Sequence, residues 1–245
     1  MILGLSVSTP RAAAVLLVEG RLLAASAEER FARTGDETAF PELAIRFCLE
    51  RARMFTGRTD VTRVAIVDPH DDRSGRAPSP IAGLRDKVSG WTDKQTLRRR
   101  VRQATGVGSD QMLFVGPLKA HAANAFLTSP FDAASVLVVD GAGDAAVTAA
   151  GMGSGAAVDL ESVARQRVDA GVLARIATDL SRQTGSTRLC LGGSLAGDEH
   201  LLARALRHSS VTEIHVPPAV DADGAALGAA LHLWHAALGH PRAFV

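Results

Sequence analysis

Apolar residues fill positions 2–7, 13–18 and 22–27, broken by polar turns at Ser8-Thr9-Pro10-Arg11 and at Glu19-Gly20. Short apolar runs between turn formers predict a three-stranded antiparallel meander. Pro41 then opens a helical pattern through about Arg53, with apolar residues at 43, 44, 47 and 48 and proline in the first turn. "VTRVAIVD" predicts a further strand. Residues 68–80, "DPHDDRSGRAPSP", read as a solvated, Pro-rich loop, and His70 among Asp68, Asp71 and Asp72 as part of that loop rather than a metal site. In "DKQTLRRRVRQATG", Leu97 and Val101 lie four residues apart, which predicts a helix with its basic face in solvent.

The second half repeats this plan. "ASVLVVDGAGDAAVTAAGMGSG" is again a strand, a polar turn and a strand. A helix over about 169–184, the strand "TRLCLGG", a helix over about 198–208, the strand "EIHVPP" and a last helix over about 222–238 follow. The order predicts two βββ-α-β-α subdomains, 1–130 and 131–245, related by internal duplication. Facing each other, they would aim their first turns, near residues 9 and 141, into one central cleft. This order resembles the α/β, duplicated ribonuclease H-like topology of the actin, Hsp70 and sugar-kinase superfamily. There, paired hairpins hold a nucleotide's phosphates and a strand end such as Gly192-Gly193 lies under the adenosine. Topology alone does not specify a function.

Composition narrows the classes. The 245 residues are 47% hydrophobic and 22% charged, as in an ordinary globular protein, and a net charge of +1 leaves no footprint for nucleic acid. Aromatics make up 4% with no Tyr, so no stacking platform for bases is expected. Cys48 and Cys190 fall in apolar patterns and read as core residues rather than ligands, which points to a reducing cytoplasm. "MILGLSV" lacks a basic flank and reads as a first strand, and no apolar run is long enough to span a bilayer.

The candidate chemistry centres on Asp140-Gly141-Ala142-Gly143-Asp144, at the end of the aliphatic run 136–139. One reading is a glycine-rich hairpin with its acids in solvent. The other is a turn whose glycines let backbone N–H groups approach a phosphate while Asp140 faces a metal or an acceptor hydroxyl.

Four stretches in order carry a resemblance. "AASAEERFART" with "AFPELAIRFCL" resembles EERF-x-R … FP-x-x-AI-x-x-CL, and "HAANAFLTSPFDAASVLVVDGAGD" resembles HAASAF-x-x-SPF-x-x-A-x-VL-x-x-DG-x-GE. "LCLGGSLA" resembles LCLAGGVALN, and "VPPAVDADGAALGAAL" resembles PAAGDAGGALGAAL. These signatures are those of the carbamoyltransferases of the NodU and CmcH type, with a Kae1-like amino-terminal domain. The resemblance implies transfer of a carbamoyl group from carbamoyl adenylate to a hydroxyl in specialised-metabolite biosynthesis. It places His121, Asp140 and Asp144 in catalysis, and Gly141, Gly143, Gly192, Gly193, Ser194, Asp223 and Gly224 around the nucleotide. His121 and Asp221 would hold a divalent metal such as iron, zinc or magnesium.

The departures matter as much. The family pairs two His four residues apart with a distant Asp; here Pro117 stands at the first His, leaving His121 either as a ligand or as a hydrogen-bonded helix histidine. A weak metal site is expected. Thr9-Pro10 replaces the first hairpin's His-Asp pair. Ser194 stands at the second glycine of GGVALN and Asp198 at its Asn. The family's long insertion between about Ala150 and Val163 and its YrdC-like, adenylate-forming domain have no counterpart in this sequence. The implied partners are therefore a small-molecule hydroxyl acceptor and a separate YrdC-like protein or full-length carbamoyltransferase, with a homodimer left open. The rival reading is a non-catalytic pseudoenzyme that docks on a full-length carbamoyltransferase. A sugar kinase would need a first-hairpin acid and lysine that this chain lacks.

Overall fold

A computed structural model of the chain describes residues 1–7, 12–31, 40–68, 93–141, 146–207 and 209–242. The turn at Thr9, the segment around His70, and Gly143 and Asp144 lie outside the described residues.

The first apolar runs form β1 (Ile2–Ser6), β2 (Ala13–Val18) and β3 (Arg21–Ala27), paired antiparallel as the alternation of turns and strands requires. Helix α1 (Glu42–Thr56) crosses to β4 (Arg63–Val67), and α2 (Lys94–Thr105) precedes β5 (Met112–Val115). Both later strands join in parallel, giving the order β3-β2-β1-β4-β5. After α3 (Pro117–Leu127) the plan recurs with β6 (Ala133–Asp140), β7 (Ala146–Ser154) and β8 (Ala157–Gln166). The strand β8 completes the second meander after a turn at Gly155-Ala156. Helix α4 (Ala170–Thr184), β9 (Arg188–Gly192), α5 (Glu199–Leu206), β10 (Glu213–His215) and α6 (Ala222–His232) follow. The second sheet has the order β10-β9-β6-β7-β8 with β9 and β10 parallel, which is the first sheet's plan repeated. The chain thus has the duplicated ribonuclease H-like fold.

Three apolar cores separate the layers. Helices α1 and α2 cover the outer face of the first sheet through Ile45, Cys48, Leu97 and Val101. Helices α4 and α5 cover the outer face of the second through Leu173, Leu180 and Ala205. Between the sheets lie α3 and α6, packed on each other and on both inner faces. These central helices are exchanged. Helix α6, from the second half, lies on β1, β2 and β4, whereas α3, from the first half, lies on β6, β8 and β9. Both are apolar on nearly every side, as helices enclosed between sheets must be. Their close approach depends on Gly228, where a Cβ would stand 1.8 Å from the carbonyl oxygen of Ala120.

Two signature stretches serve this architecture. Glu28, 5% exposed, accepts hydrogen bonds from Leu43 N (3.0 Å) and Ala44 N (2.8 Å), so its carboxylate satisfies the first turn of α1 from a distant segment. Pro41 at the N-cap position has no capping side chain of its own. At the other end of the chain, Arg242 donates to the carbonyls of Phe126, Ser129 and Phe131, closing the C-terminal end of α3, and stacks over the Phe126 ring.

Candidate functional site

Strands β6 and β9 run in parallel with Val138 opposite Gly192, so the residues two beyond, Asp140 and Ser194, emerge side by side. The Ser194 hydroxyl donates to Asp140 Oδ1 (2.9 Å), and Ser194 N–H points at the same oxygen (3.4 Å). Gly141 N–H in turn donates to Ser194 Oγ (3.0 Å). The two turns are therefore tied into one corner by the relay Gly141 N–H to Ser194 O–H to the Asp140 carboxylate.

Gly193 allows this convergence. Its φ is +87°, and a Cβ there would meet the Val139 carbonyl oxygen at 2.4 Å. Only glycine takes that conformation at so close a backbone approach without strain. Gly192 packs on α3, where a Cβ would lie 2.7 Å from the carbonyl oxygen of His121.

Helix α3 brings two buried polar side chains to this end of the sheets. His121 is 7% exposed and Asn124, one turn further on, is 1% exposed. Asn124 Nδ2 donates to the carbonyl of Ala219 (2.7 Å), binding "HAANAF" to "PPAVDADG". Asp221 occupies the N-cap position of α6 without a side-chain cap bond. Asp223 Oδ1 accepts from Gly224 N–H (2.9 Å), and Gly224 lies against the Ala219 carbonyl, where a Cβ would stand at 2.2 Å. Val220 lies beside the turn after β9, where a Cβ at Gly197 would stand 3.3 Å from its Cγ2. Asp140, Gly141, Gly193 and Ser194 thus form one corner, Gly192 joins it to His121, and Asn124 joins α3 to the Asp221–Gly224 turn.

Asn124 and Glu28 were not among the residues singled out from sequence, although both lie inside quoted signature stretches. Asn124 stands where the resembled motif has a smaller Ser, and that difference was its available signal. Arg242 had none.

No group of three or more His, Cys, Asp or Glu side chains among the described residues is placed to hold a metal ion. His121 and Asp221 would need ligands from phosphate or water. Burial pushes the Cys48 thiol up to about 12 and the Cys190 thiol up to about 11, so both are protonated thiols at neutral pH. Two concavities, of about 380 and 270 Å³, lie on the outer helices, the first against α4 and α5 and the second against α1 and α2. Neither touches the Asp140–Ser194 corner. No helix among the described residues is long and apolar enough to cross a membrane.

No family model matches this chain. An uncharacterized protein of Synechocystis sp. is 31% identical over 171 residues, which is 63% of this chain and 27% of that protein. The chain spans about a quarter of the length of that relative. Among solved structures, the ROK hexokinase of Thermus thermophilus superposes with a TM-score of 0.51 at 16% identity, over 94% of this chain and 96% of the kinase. The inorganic polyphosphate/ATP-glucomannokinase of Arthrobacter gives 0.50 at 13% identity, over 98% and 99%. A ROK family protein of Streptococcus pneumoniae, solved with sucrose, gives 0.50 at 9% identity over 97% and 98%. At these identities the likeness is one of fold. The chain shares its duplicated ribonuclease H-like fold with these three proteins.

Proposed function

We propose that this chain is a Kae1-like group-transfer subunit that holds a nucleotide and passes a carbamoyl group from carbamoyl adenylate to a hydroxyl acceptor. The adenylate comes from a separate adenylate-forming protein, and the work belongs to specialised-metabolite biosynthesis. The observation that supports this reading best is the junction of the β6 and β9 turns. Two glycine-bearing turns meet there, at Gly141 and at Gly192-Gly193. Backbone N–H groups of such turns suit a phosphate. Nucleotide use is also in keeping with the polyphosphate/ATP-dependent kinase that shares the fold. Asp223 and Gly224, at the start of α6, complete the cradle in this reading. His121 and Asp221 would supply two ligands to a divalent ion, with phosphate or water completing its shell. Such an ion would polarise the carbamoyl carbonyl.

Asp140 is bonded to Ser194, so its first task is to position that turn rather than to take the acceptor proton. The same bond favours the second reading, a docking partner for a full-length carbamoyltransferase, because a corner satisfied by its own side chains has less to offer a ligand.

The test is a calorimetric titration of ATP, AMP and a stable carbamoyl-adenylate mimic into wild type and Gly141→Val. Saturable binding lost in the variant is expected. No heat with any ligand, with tight binding to a full-length relative instead, would transfer the case to the docking partner.

A further inference from the structure

The corner that would receive a phosphate already contains an anion. Asp140 Oδ1 accepts from Ser194 Oγ at 2.9 Å and faces Ser194 N–H at 3.4 Å. Gly141 N–H, the other donor of the corner, is turned onto Ser194 Oγ at 3.0 Å. All three bonds pass through one residue, and all three donors are the groups that a bound phosphate oxygen would use. The resembled motif has glycine at this position, and a glycine has no hydroxyl to relay Gly141 N–H to a carboxylate.

We propose that Ser194 is a specificity-determining residue that makes the Asp140 carboxylate an internal occupant of the phosphate corner, so that a phosphate-bearing ligand binds only by displacing it. The inference rests on the nucleotide reading above. Its physical basis is competition between two anions for one set of donors. A carboxylate and a phosphate side by side in a partly enclosed site repel each other. Hydrogen bonds to charged groups are the stronger class, so a ligand must break bonds of substantial worth before it makes its own. The corner is satisfied at rest, and wild type is expected to bind simple phosphates weakly. Two changes release it by different routes. Ser194→Gly removes the relay, leaving Gly141 N–H and the residue-194 N–H for a ligand. Asp140→Asn keeps the shape and removes the internal charge.

The test titrates inorganic pyrophosphate, with the carbamoyl-adenylate mimic in parallel, into wild type, Ser194→Gly and Asp140→Asn. Amide hydrogen exchange at Gly141 in Ser194→Ala reports the relay itself without any ligand. Both releasing variants are expected to bind pyrophosphate about tenfold or more tightly than wild type, the equivalent of one charge-assisted hydrogen bond. The Gly141 amide should exchange about tenfold faster in Ser194→Ala, the loss of one bond's worth of protection. Unchanged or weaker pyrophosphate binding in both variants overturns the proposal, and so does an unchanged Gly141 exchange rate. If pyrophosphate tightens but no variant binds the mimic, the internal occupant stands and the adenylate reading falls. If the mimic binds wild type tightly and the variants no better, the adenylate reading stands and the internal occupant falls.

Discussion

Replacing Glu28 by Ala should unfold part of the first sheet's outer layer without touching the Asp140–Ser194 corner. Glu28 is 5% exposed, and its carboxylate accepts from Leu43 N at 3.0 Å and Ala44 N at 2.8 Å. Both donors lie in the first turn of α1, where helix geometry provides no partner. A charge-assisted hydrogen bond contributes about 1.5–3 kcal/mol net, and a lost N-cap costs about 1 kcal/mol. The two bonds share one carboxylate and are not additive, so a loss of about 2–4 kcal/mol is expected. For a chain of this length each kcal/mol moves the melting temperature by roughly 2–4 °C, giving a drop of roughly 4–16 °C. Urea denaturation followed by circular dichroism measures the free energy, and thermal melts check the sign. Glu28→Gln, which keeps one acceptor, should fall between alanine and wild type. An alanine variant within about 0.5 kcal/mol of wild type, the ordinary range for surface substitutions, would refute the structural role of the EERF stretch. Unchanged stability with lost ligand binding would instead move Glu28 into the functional site.

Gly228→Ala should cost about 3 kcal/mol or more, because its Cβ would fall 1.8 Å from the Ala120 carbonyl oxygen and force α3 from α6; solubility and urea midpoints check this. Fragments 1–130 and 131–245 should each fail to unfold cooperatively when expressed alone, since α6 covers the first sheet and α3 the second; mixing them should restore a calorimetric transition, and an independently folded half would contradict the exchange. Stability should also fall in mild acid. Burial holds His215, His232 and His235 below the ordinary value of 6.5, helped by Arg242 beside His215 and Lys119 beside His232. A depressed histidine stays neutral in the folded protein while the unfolded chain takes up a proton. The stability is therefore complete above about pH 6.5 and declines as pH drops toward the folded values, which a series of melts should trace. A melting temperature that rises between pH 7 and 5.5 would contradict the sign.

The strand order was legible because its signals are local. Short apolar runs separated by Glu19-Gly20 or by Asp140-Gly141 can pair only with neighbours or through a helix, and both meanders follow. The helix exchange was not legible. Helices α3 and α6 are Ala-rich and apolar on nearly every face, so periodicity marks neither the sheet that each covers nor its half of origin. In the candidate site, Gly141, Gly192 and Gly193 were readable as turn glycines. The bond between Asp140 and Ser194 was not, because it joins residues 54 positions apart and depends on the β6–β9 register. Much of the signature proves to be mutual support: Glu28 holds α1, Asn124 holds Ala219, and Ser194 holds Asp140. A motif can therefore persist for packing as readily as for chemistry, which is why the four stretches specify the fold more firmly than the reaction.

The proposed function requires a nucleotide to sit where the β6 and β9 turns meet. Amide hydrogen exchange of the wild-type chain, with and without a saturating carbamoyl-adenylate mimic, tests it most directly. New protection is expected only in peptides covering 138–141, 192–197 and 221–225, with the outer helices α1 and α4 unchanged. Protection at the outer helices, or none at those three segments under saturation, would contradict it.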